Sequence, residues 1–229
     1  MARSERTVLV DGVYDALKER IMDRATAPGT RLSIEGIAAD LGVSATPVRE
    51  ALARLAAERL VAFVAFKGYT TRPLLNQRQL ADLLDVRRLI ETEAARLAAQ
   101  RAILADLRAM ERELAAMDVL APTPRYRDFR TYLQHDQRFH EALVSAAGNP
   151  VLLETFQGLH THTQLARLVH DVGAFDDSEN AVEHHAIAQA VRDRDPDRAA
   201  EAVRVHLDRY EAQLGEQLDC PGADKRSIR

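Results

Sequence analysis

The sequence lacks the features of a disulfide-stabilised protein and of a membrane protein. Its only cysteine is Cys220, so no disulfide can form within the chain. No apolar run approaches the ~18 residues that a membrane-spanning helix needs, and residues 1–12 contain no apolar signal-peptide segment. These absences exclude a disulfide scaffold and a membrane partner. We therefore expect a cytoplasmic protein.

The chain also lacks the net positive charge expected of a nucleic-acid-binding protein, since its formal net charge is −4. The charge is unevenly distributed, however. Residues 1–75 carry 11 Lys and Arg against 9 Asp and Glu, whereas the remainder carries 20 against 26. The N-terminal third is thus mildly basic and the rest acidic, as expected if only the first part meets phosphates.

The N-terminal third has the periodicity of three short helices. Residues 7–24 place four apolar side chains on one helical face: Val10, Val13, Leu17 and Ile21. Pro28 and Gly29 end this helix. Ser33 can cap a second helix that ends at Gly42, a position where φ is often positive. Ser44 can cap the third.

The third helix has one buried and one open face. Val48, Leu52 and Leu55 form the buried stripe, which leaves an open face toward solvent or a ligand, comprising Thr46, Arg49, Glu50, Ala53 and Arg54. The β-prone segments LVAFVAF and YTTR follow, separated by a turn at Lys67-Gly68. Three helices and a two-stranded ribbon predict a DNA-binding winged helix-turn-helix. The alternative is a small helical lobe with a hairpin.

The rest of the chain shows almost no strand signal and predicts an all-α bundle of six helices. The predicted helices are 77–100, 102–118, 125–147, 150–172, 178–194 and 196–217. The predicted domains are a winged helix at 1–73, a linker at 74–77, a helical domain at 78–217 and a disordered tail at 218–229.

Four side chains in this bundle have the spacing of a metal site. Asp136 and His140 lie four residues apart and project from one helical face. His184 and His206 each lie 11 residues from position 195, so they reach the same height in an antiparallel helix hairpin. A carboxylate and three imidazoles suit zinc, with nickel or manganese as alternatives. On spacing alone they could instead be satisfied core residues. The histidines without matched spacing are His135, His160, His162, His170 and His185.

The N-terminal third resembles the DNA-binding domain of the GntR family of bacterial transcription regulators. The resemblance rests on PGTRL, GVSATPVREALARLAAERLV and FKGYTT. It implies that Thr46 and Arg49 contact DNA and that Lys67-Gly68 forms the wing tip. The full set of expected DNA contacts is Ser44, Thr46, Arg49, Arg54, Lys67 and Gly68.

The sequence departs from that family at three positions. Ala45 and Glu35 stand where the family has or often has arginine, and Arg59 stands where it favours glycine. Alanine cannot form the bidentate hydrogen bonds to guanine that arginine forms. We therefore expect an operator that differs from the common family sequence.

The helical part resembles the FCD effector domain of the FadR subfamily. The segments that carry the resemblance are DLLDVRRLIETEAARLAAQR, DQRFHEALVSAAGN and EHHAIAQAVRDRDPDRAAEAVRVHL. Six helices suit the VanR-like branch. The resemblance implies that Asp136, His140, His184 and His206 bind a divalent metal. It also implies a carboxylate metabolite beside the metal, with which Arg87 could pair; the alternative for Arg87 is an ion pair with Asp82 or Glu91.

These observations favour a transcription regulator that is not an enzyme and that responds to a small organic acid. We expect it to act as a repressor. We expect a homodimer held by its helical domains on a short inverted repeat of double-stranded DNA, because two-fold symmetry doubles the base contacts. Two alternatives remain open. The His and Asp site could activate water in a metal-dependent hydrolase, or the helical domain could serve dimerisation alone.

Overall fold

The computed structural model describes residues 2–120, 126–160 and 177–219. The chain divides into two compact units at the boundary between Leu74 and Leu75. No helix within the described ranges is long and apolar enough to cross a membrane.

The first unit contains three helices and a small sheet. Its elements are α1 (Ala2–Met22), β1 (Arg31–Leu32), α2 (Ile34–Leu41), α3 (Ala45–Ala57), β2 (Val61–Val64) and β3 (Gly68–Thr71). The strands are antiparallel in the order β1-β3-β2. The sheet therefore has one strand more than the predicted two-stranded wing. β1 pairs Arg31 with Thr70 and Leu32 with Tyr69; a strand of two residues is too short to show alternation in the sequence.

The core of the first unit follows the predicted pattern. Val10, Val13, Leu17 and Ile21 on α1 are buried, and the stripe of Val48, Leu52 and Leu55 on α3 is fully buried. The Ser33 hydroxyl caps α2 by accepting a hydrogen bond from the Gly36 N–H at 3.1 Å. Gly42 ends that helix with a left-handed φ of 66°. The predicted helix-turn-helix geometry is thus present.

The second unit is helical throughout its described residues. Its helices are α4 (Gln77–Arg101), α5 (Leu104–Asp118), α6 (Tyr126–Ala146), α7 (Pro150–Gly158), α8 (Asp177–Arg192) and α9 (Pro196–Asp219). Asn76 and Gln79 form a capping box at the start of α4. The predicted helix 150–172 is too long, because α7 ends at Gly158 and His160 has a φ of 49°. Residues 161–172 of that prediction lie outside the described residues.

The core of the second unit combines small residues, many of them on α4, with larger residues of the other helices. The buried alanines of α4 include Ala95, Ala98 and Ala99. Opposite them, the same cluster contains Phe139 on α6 and Leu207 on α9. The residues that precede Leu207 and follow Phe139 in the sequence lie next to one another, with their ring centroids 5.3 Å apart. Those residues are His140 and His206.

Candidate DNA-binding surface and metal centre

The outward face of α3 carries the predicted base-contacting residues. Thr46 and Arg49 are exposed, as is Ser44 at the N-cap position. The Ser44 hydroxyl, however, accepts no capping hydrogen bond, so the prediction that this side chain caps α3 is wrong. Its backbone has the extended conformation of an N-cap, and its hydroxyl stays at the surface beside Thr46.

The cations of the first unit fall into two groups. Arg54 donates to Asp11 at 2.6 Å and lies over the Tyr14 ring at 4.1 Å, so it joins α3 to α1. These contacts favour a structural role for Arg54 over the predicted DNA contact. By contrast, Arg49, Lys67 and Arg31 are exposed and form no ion pair with any other described residue. Exposed, unpaired cations on α3, the turn and β1 suit phosphate or base contacts.

Arg31 is a candidate DNA contact that sequence reasoning missed. It lies on β1, opposite Thr70 of β3, and so belongs to the wing sheet. The signal that could have identified it is PGTRL itself, where an arginine stands between a turn and a buried leucine.

The wing turn ends one residue earlier than predicted and begins two residues earlier. The turn comprises Ala65, Phe66 and Lys67, and the Lys67 N–H donates to the Val64 carbonyl at 3.1 Å. Gly68 is the first residue of β3 and pairs with Val64. Its φ of 78° lies in the left-handed region that favours glycine. Lys67 therefore lies in the turn, whereas Gly68 sets the geometry of the strand that follows.

Three buried histidines meet in the second unit, one from each of α6, α8 and α9. His140, His184 and His206 each offer one ring nitrogen, and these nitrogens lie within 4.8 Å of one another. The Nε2 atoms of His184 and His140 are 3.3 Å apart. All three side chains are almost completely buried.

Asp136 completes the predicted group of four. Its Oδ1 lies 3.5 Å from His184 Nε2 and 3.9 Å from His140 Nε2. The side chain is 23 % exposed, in contrast to the histidines. The four residues picked out by spacing therefore do come together, and Asp136 lies on the side of the cluster nearest to solvent.

Two carboxylates lie behind the histidines. His140 Nδ1 is 2.7 Å from Glu91 Oε2, and His206 Nδ1 is 2.9 Å from Glu183 Oε2. Such a carboxylate fixes the tautomer and orientation of an imidazole and makes its other nitrogen a better ligand. Sequence reasoning missed both roles. Glu91 was considered only as a partner for Arg87, and Glu183 directly precedes His184 without any distinctive spacing.

Burial and repulsion between the rings lower the pKa values of two of the imidazoles, those of His184 and His206. Burial is the main cause that lowers the pKa of His184 well below its usual value, and His206 and His140 add to it. Burial also lowers the pKa of His206, although the hydrogen bond to Glu183 opposes this. Neutral imidazole is the form that binds a metal ion.

Arg87 lies behind Glu91. Its Nε donates to Glu91 Oε1 at 2.5 Å, and both side chains are buried. Burial alone would raise the pKa of Glu91, but Arg87 and His140 outweigh it and lower that pKa to about 2. Of the two alternative partners predicted for Arg87, the structure selects Glu91. Arg87 is thus connected to the histidine cluster through one carboxylate.

The cluster fits a divalent first-row metal ion by the chemistry of its donors. Three imidazole nitrogens and one carboxylate oxygen converge, which is a donor set typical of zinc and related ions. The other described histidines have separate partners or positions: His135 is 2.8 Å from Glu113, His185 is 3.1 Å from Asp118, and His160 follows the end of α7. His162 and His170 lie outside the described residues.

Each of the two units matches the model of a known protein family. Residues 9–70 match the model of the bacterial regulatory proteins of the gntR family, and residues 82–209 match that of the FCD domain. The Nta operon transcriptional regulator of Aminobacter aminovorans is 31% identical over 187 residues, which cover 82% of this chain and 85% of that protein. The transcriptional repressor GlaR of Escherichia coli is 30% identical over 207 residues, or 86% and 91% of the two chains.

Solved structures show the same fold. Escherichia coli McbR/YncC superposes with a TM-score of 0.69 at 23% identity and covers 91% of this chain and 98% of its own. A GntR regulator from Rhodococcus sp. RHA1 superposes with a TM-score of 0.66 at 26% identity, covering 90% and 96%. The chain therefore belongs to the GntR family and carries an FCD domain after its winged helix, which makes it a DNA-binding transcription regulator.

Proposed function

We propose that this regulator binds a divalent metal ion and a small organic acid in its helical unit and that the acid controls its affinity for an operator. The observation that carries the proposal is the convergence of His140, His184 and His206 with Asp136, two of the imidazoles having a carboxylate behind them. A buried histidine cluster without a metal would leave polar ring nitrogens facing one another at a cost in stability.

The acid is expected to bind next to the metal because of what the site contains. A metal held by these four side chains would supply positive charge for a carboxylate. Arg87 would add a second positive charge close by, although Glu91 now neutralises it. An acid that pairs with Arg87 has to compete with Glu91, so we expect the acid to weaken the contact from Glu91 to His140.

The proposal includes repression and a two-fold symmetric dimer. Several relatives are named as repressors, among them GlaR and the gluconate operon repressor of Bacillus subtilis. One α3 helix makes few base contacts, so two copies on a short inverted repeat would double them. The proposal also keeps the VanR-like branch, which the resemblance of the helical part implies.

Metal analysis of the purified protein tests this proposal. We expect close to one zinc, nickel or manganese ion per chain in the wild type and almost none in the double variant His184→Ala, His206→Ala. The control is His135→Ala, His185→Ala, which removes two imidazoles outside the cluster. Equal metal content in both double variants would contradict the proposed site, and so would a wild type that carries no metal even after incubation with zinc.

The same preparations test the dimer. Sedimentation at micromolar concentration should show a dimer, and one operator duplex should bind two chains. A monomer that binds DNA with one chain per duplex would contradict the symmetric arrangement.

A further inference from the structure

The tip of the wing carries an aromatic side chain for which the described residues of the first unit offer no partner. Phe66 is fully exposed at 106 %, and its ring makes no aromatic contact with any described residue. Phe63, also on the wing, differs: its ring packs edge-on against Tyr69 with the centroids 5.3 Å apart. Exposure of a whole phenyl ring to water is unfavourable.

The backbone at Phe66 adds a second cost. Its φ is 63°, in the left-handed region that a bulky side chain rarely adopts. Phe66 occupies the third position of a turn closed by Lys67 and Val64, where a positive φ favours glycine or asparagine. The other four described non-glycine residues with positive φ are arginines and a histidine: Arg24, Arg59, His160 and Arg194.

Neither the packing nor the turn explains a phenylalanine at this position, so its benefit has to come from a partner. The adjacent Lys67 is exposed and forms no ion pair with a described residue. A positive charge next to an apolar ring matches a nucleic-acid duplex, which offers phosphates beside stacked bases. Apolar side chains of several DNA-binding proteins enter the minor groove and partly unstack one base step.

We propose that Phe66 is an apolar wedge that enters the minor groove of the operator and opens a base step there. This inference rests on DNA binding through the wing and is independent of the metal site. It predicts a preference for flexible pyrimidine–purine steps at the contact, because these steps unstack at least cost. Such shape readout would supply sequence preference that Ala45 on α3 cannot supply through hydrogen bonds.

The test uses full-length protein and a duplex selected by the wild type from a randomised pool. Phe66→Asn removes the ring and suits a positive φ, so its melting temperature should equal or exceed that of the wild type. Its affinity for the selected duplex should nevertheless fall by about tenfold. A loss of this size is usual when a contact between an aromatic ring and a base is removed. Phe66→Leu keeps an apolar wedge and should retain most of the affinity. The matched control is Phe63→Thr, which removes the other exposed wing phenylalanine.

Base unstacking provides the direct readout. With 2-aminopurine at successive positions of the duplex, the wild type should raise the fluorescence at one step per half-site, whereas Phe66→Asn should not. Unchanged affinity and unchanged fluorescence in Phe66→Asn would overturn the proposal. The proposal would also be overturned if Phe66→Asn bound DNA normally but no longer self-associated in sedimentation, since the Phe66 ring would then contact a second copy of the chain. A wild type that selects no duplex would refute DNA binding itself, and the wedge with it.

Discussion

His184 differs from the other two clustered histidines in what lies behind its ring. His140 Nδ1 and His206 Nδ1 each lie within 3 Å of a carboxylate oxygen, at 2.7 Å and 2.9 Å, whereas the structure places no carboxylate next to the buried His184 Nδ1 among the described residues. Its ring instead packs against Phe139, with the centroids 4.8 Å apart. Packing therefore holds His184, whereas a carboxylate lies behind each of the other two rings.

Glu183 should contribute to metal affinity without touching the metal. The Glu183 carboxylate orients the His206 imidazole and makes that imidazole more basic. Glu183→Gln removes this negative charge, so zinc affinity should fall by about 10–100-fold. The measurement is competition with a chromophoric chelator at neutral pH. Glu183 also pairs with Arg209, so a melting curve should accompany each measurement.

Glu113→Gln is the matched control for this change. Glu113 also lies next to a histidine ring nitrogen, at 2.8 Å from His135, and its side chain is 15 % exposed, like that of Glu183. Zinc affinity should stay within about twofold of the wild type in this variant. Equal losses in both variants would show that the effect comes from general charge and not from orientation of His206.

The metal-free protein should lose stability in weak acid. The pKa values of His184 and His206 are lowered in the folded state, mainly by burial. Below about pH 6.5 the unfolded chain takes up protons on these imidazoles and the folded chain does not. The free energy of unfolding should therefore fall as the pH drops, by about 1.4 kcal/mol per pH unit for each such histidine.

Urea denaturation of the chelator-treated protein at pH 7.5 and pH 5.5 measures this loss. His184→Gln should reduce the difference between the two pH values, whereas His185→Gln, which removes an exposed imidazole outside the cluster, should not. A wild type equally stable at both pH values would contradict the lowered pKa values of His184 and His206.

At the scale of elements, the sequence predicted what periodicity can encode. The faces of α1 and α3 and the α8–α9 hairpin were all visible as spacing, and the hairpin placed His184 opposite His206. Pairing between distant segments was not visible. β1 is too short to alternate, and the contact of Glu91 with His140 depends on how α4 packs against α6. Such contacts follow from tertiary packing, which spacing within one segment does not record.

α3 should read bases through Arg49. Arg49→Ala should cost about 1–3 kcal/mol in operator binding and relax the preference at one base pair per half-site. Arg54→Ala is the informative contrast, because Arg54 contacts Asp11 and Tyr14. It should lower the melting temperature and change the base preference little. The two variants are compared by selecting duplexes from a randomised pool. If Arg49→Ala selected the same sequences as the wild type, the open face of α3 would not contact the DNA groove.

The wing should contribute phosphate contacts through Lys67 and Arg31. Each substitution by alanine should weaken binding to all duplexes alike and reduce the slope of log K against log salt by about 1. Arg20→Ala, whose side chain pairs with Asp40 at 2.6 Å, serves as the control with an unchanged slope. If the slope of log K against log salt were steeper or unchanged in Lys67→Ala, the wing turn would not contact the DNA phosphate backbone.

At the scale of the whole molecule, the predicted DNA contacts and the histidine cluster belong to different units. Arg31, Arg49 and Lys67 lie in the first unit, and the cluster lies in the second. An acid bound in the second unit can change DNA affinity only if it binds the DNA-competent and the incompetent states with different affinity. Regulation of this kind typically has a coupling free energy of about 1–3 kcal/mol.

The effector itself can be found through stability. An acid that binds the folded, metal-loaded protein raises its melting temperature, so a thermal-shift screen of small organic acids selects candidates. An acid that acts at the proposed site should give no shift in His184→Ala, His206→Ala.

The most direct test of the central claim is a titration of the operator with two proteins, the wild type and the double variant His184→Ala, His206→Ala. Each protein is measured with and without the selected acid. The acid should weaken operator binding by the wild type by about 5–150-fold, which corresponds to the coupling free energy given above. The double variant should bind the operator like the acid-free wild type and should not respond to the acid, because the first unit has its own core. A double variant that has lost its metal but still responds fully to the acid would contradict the account.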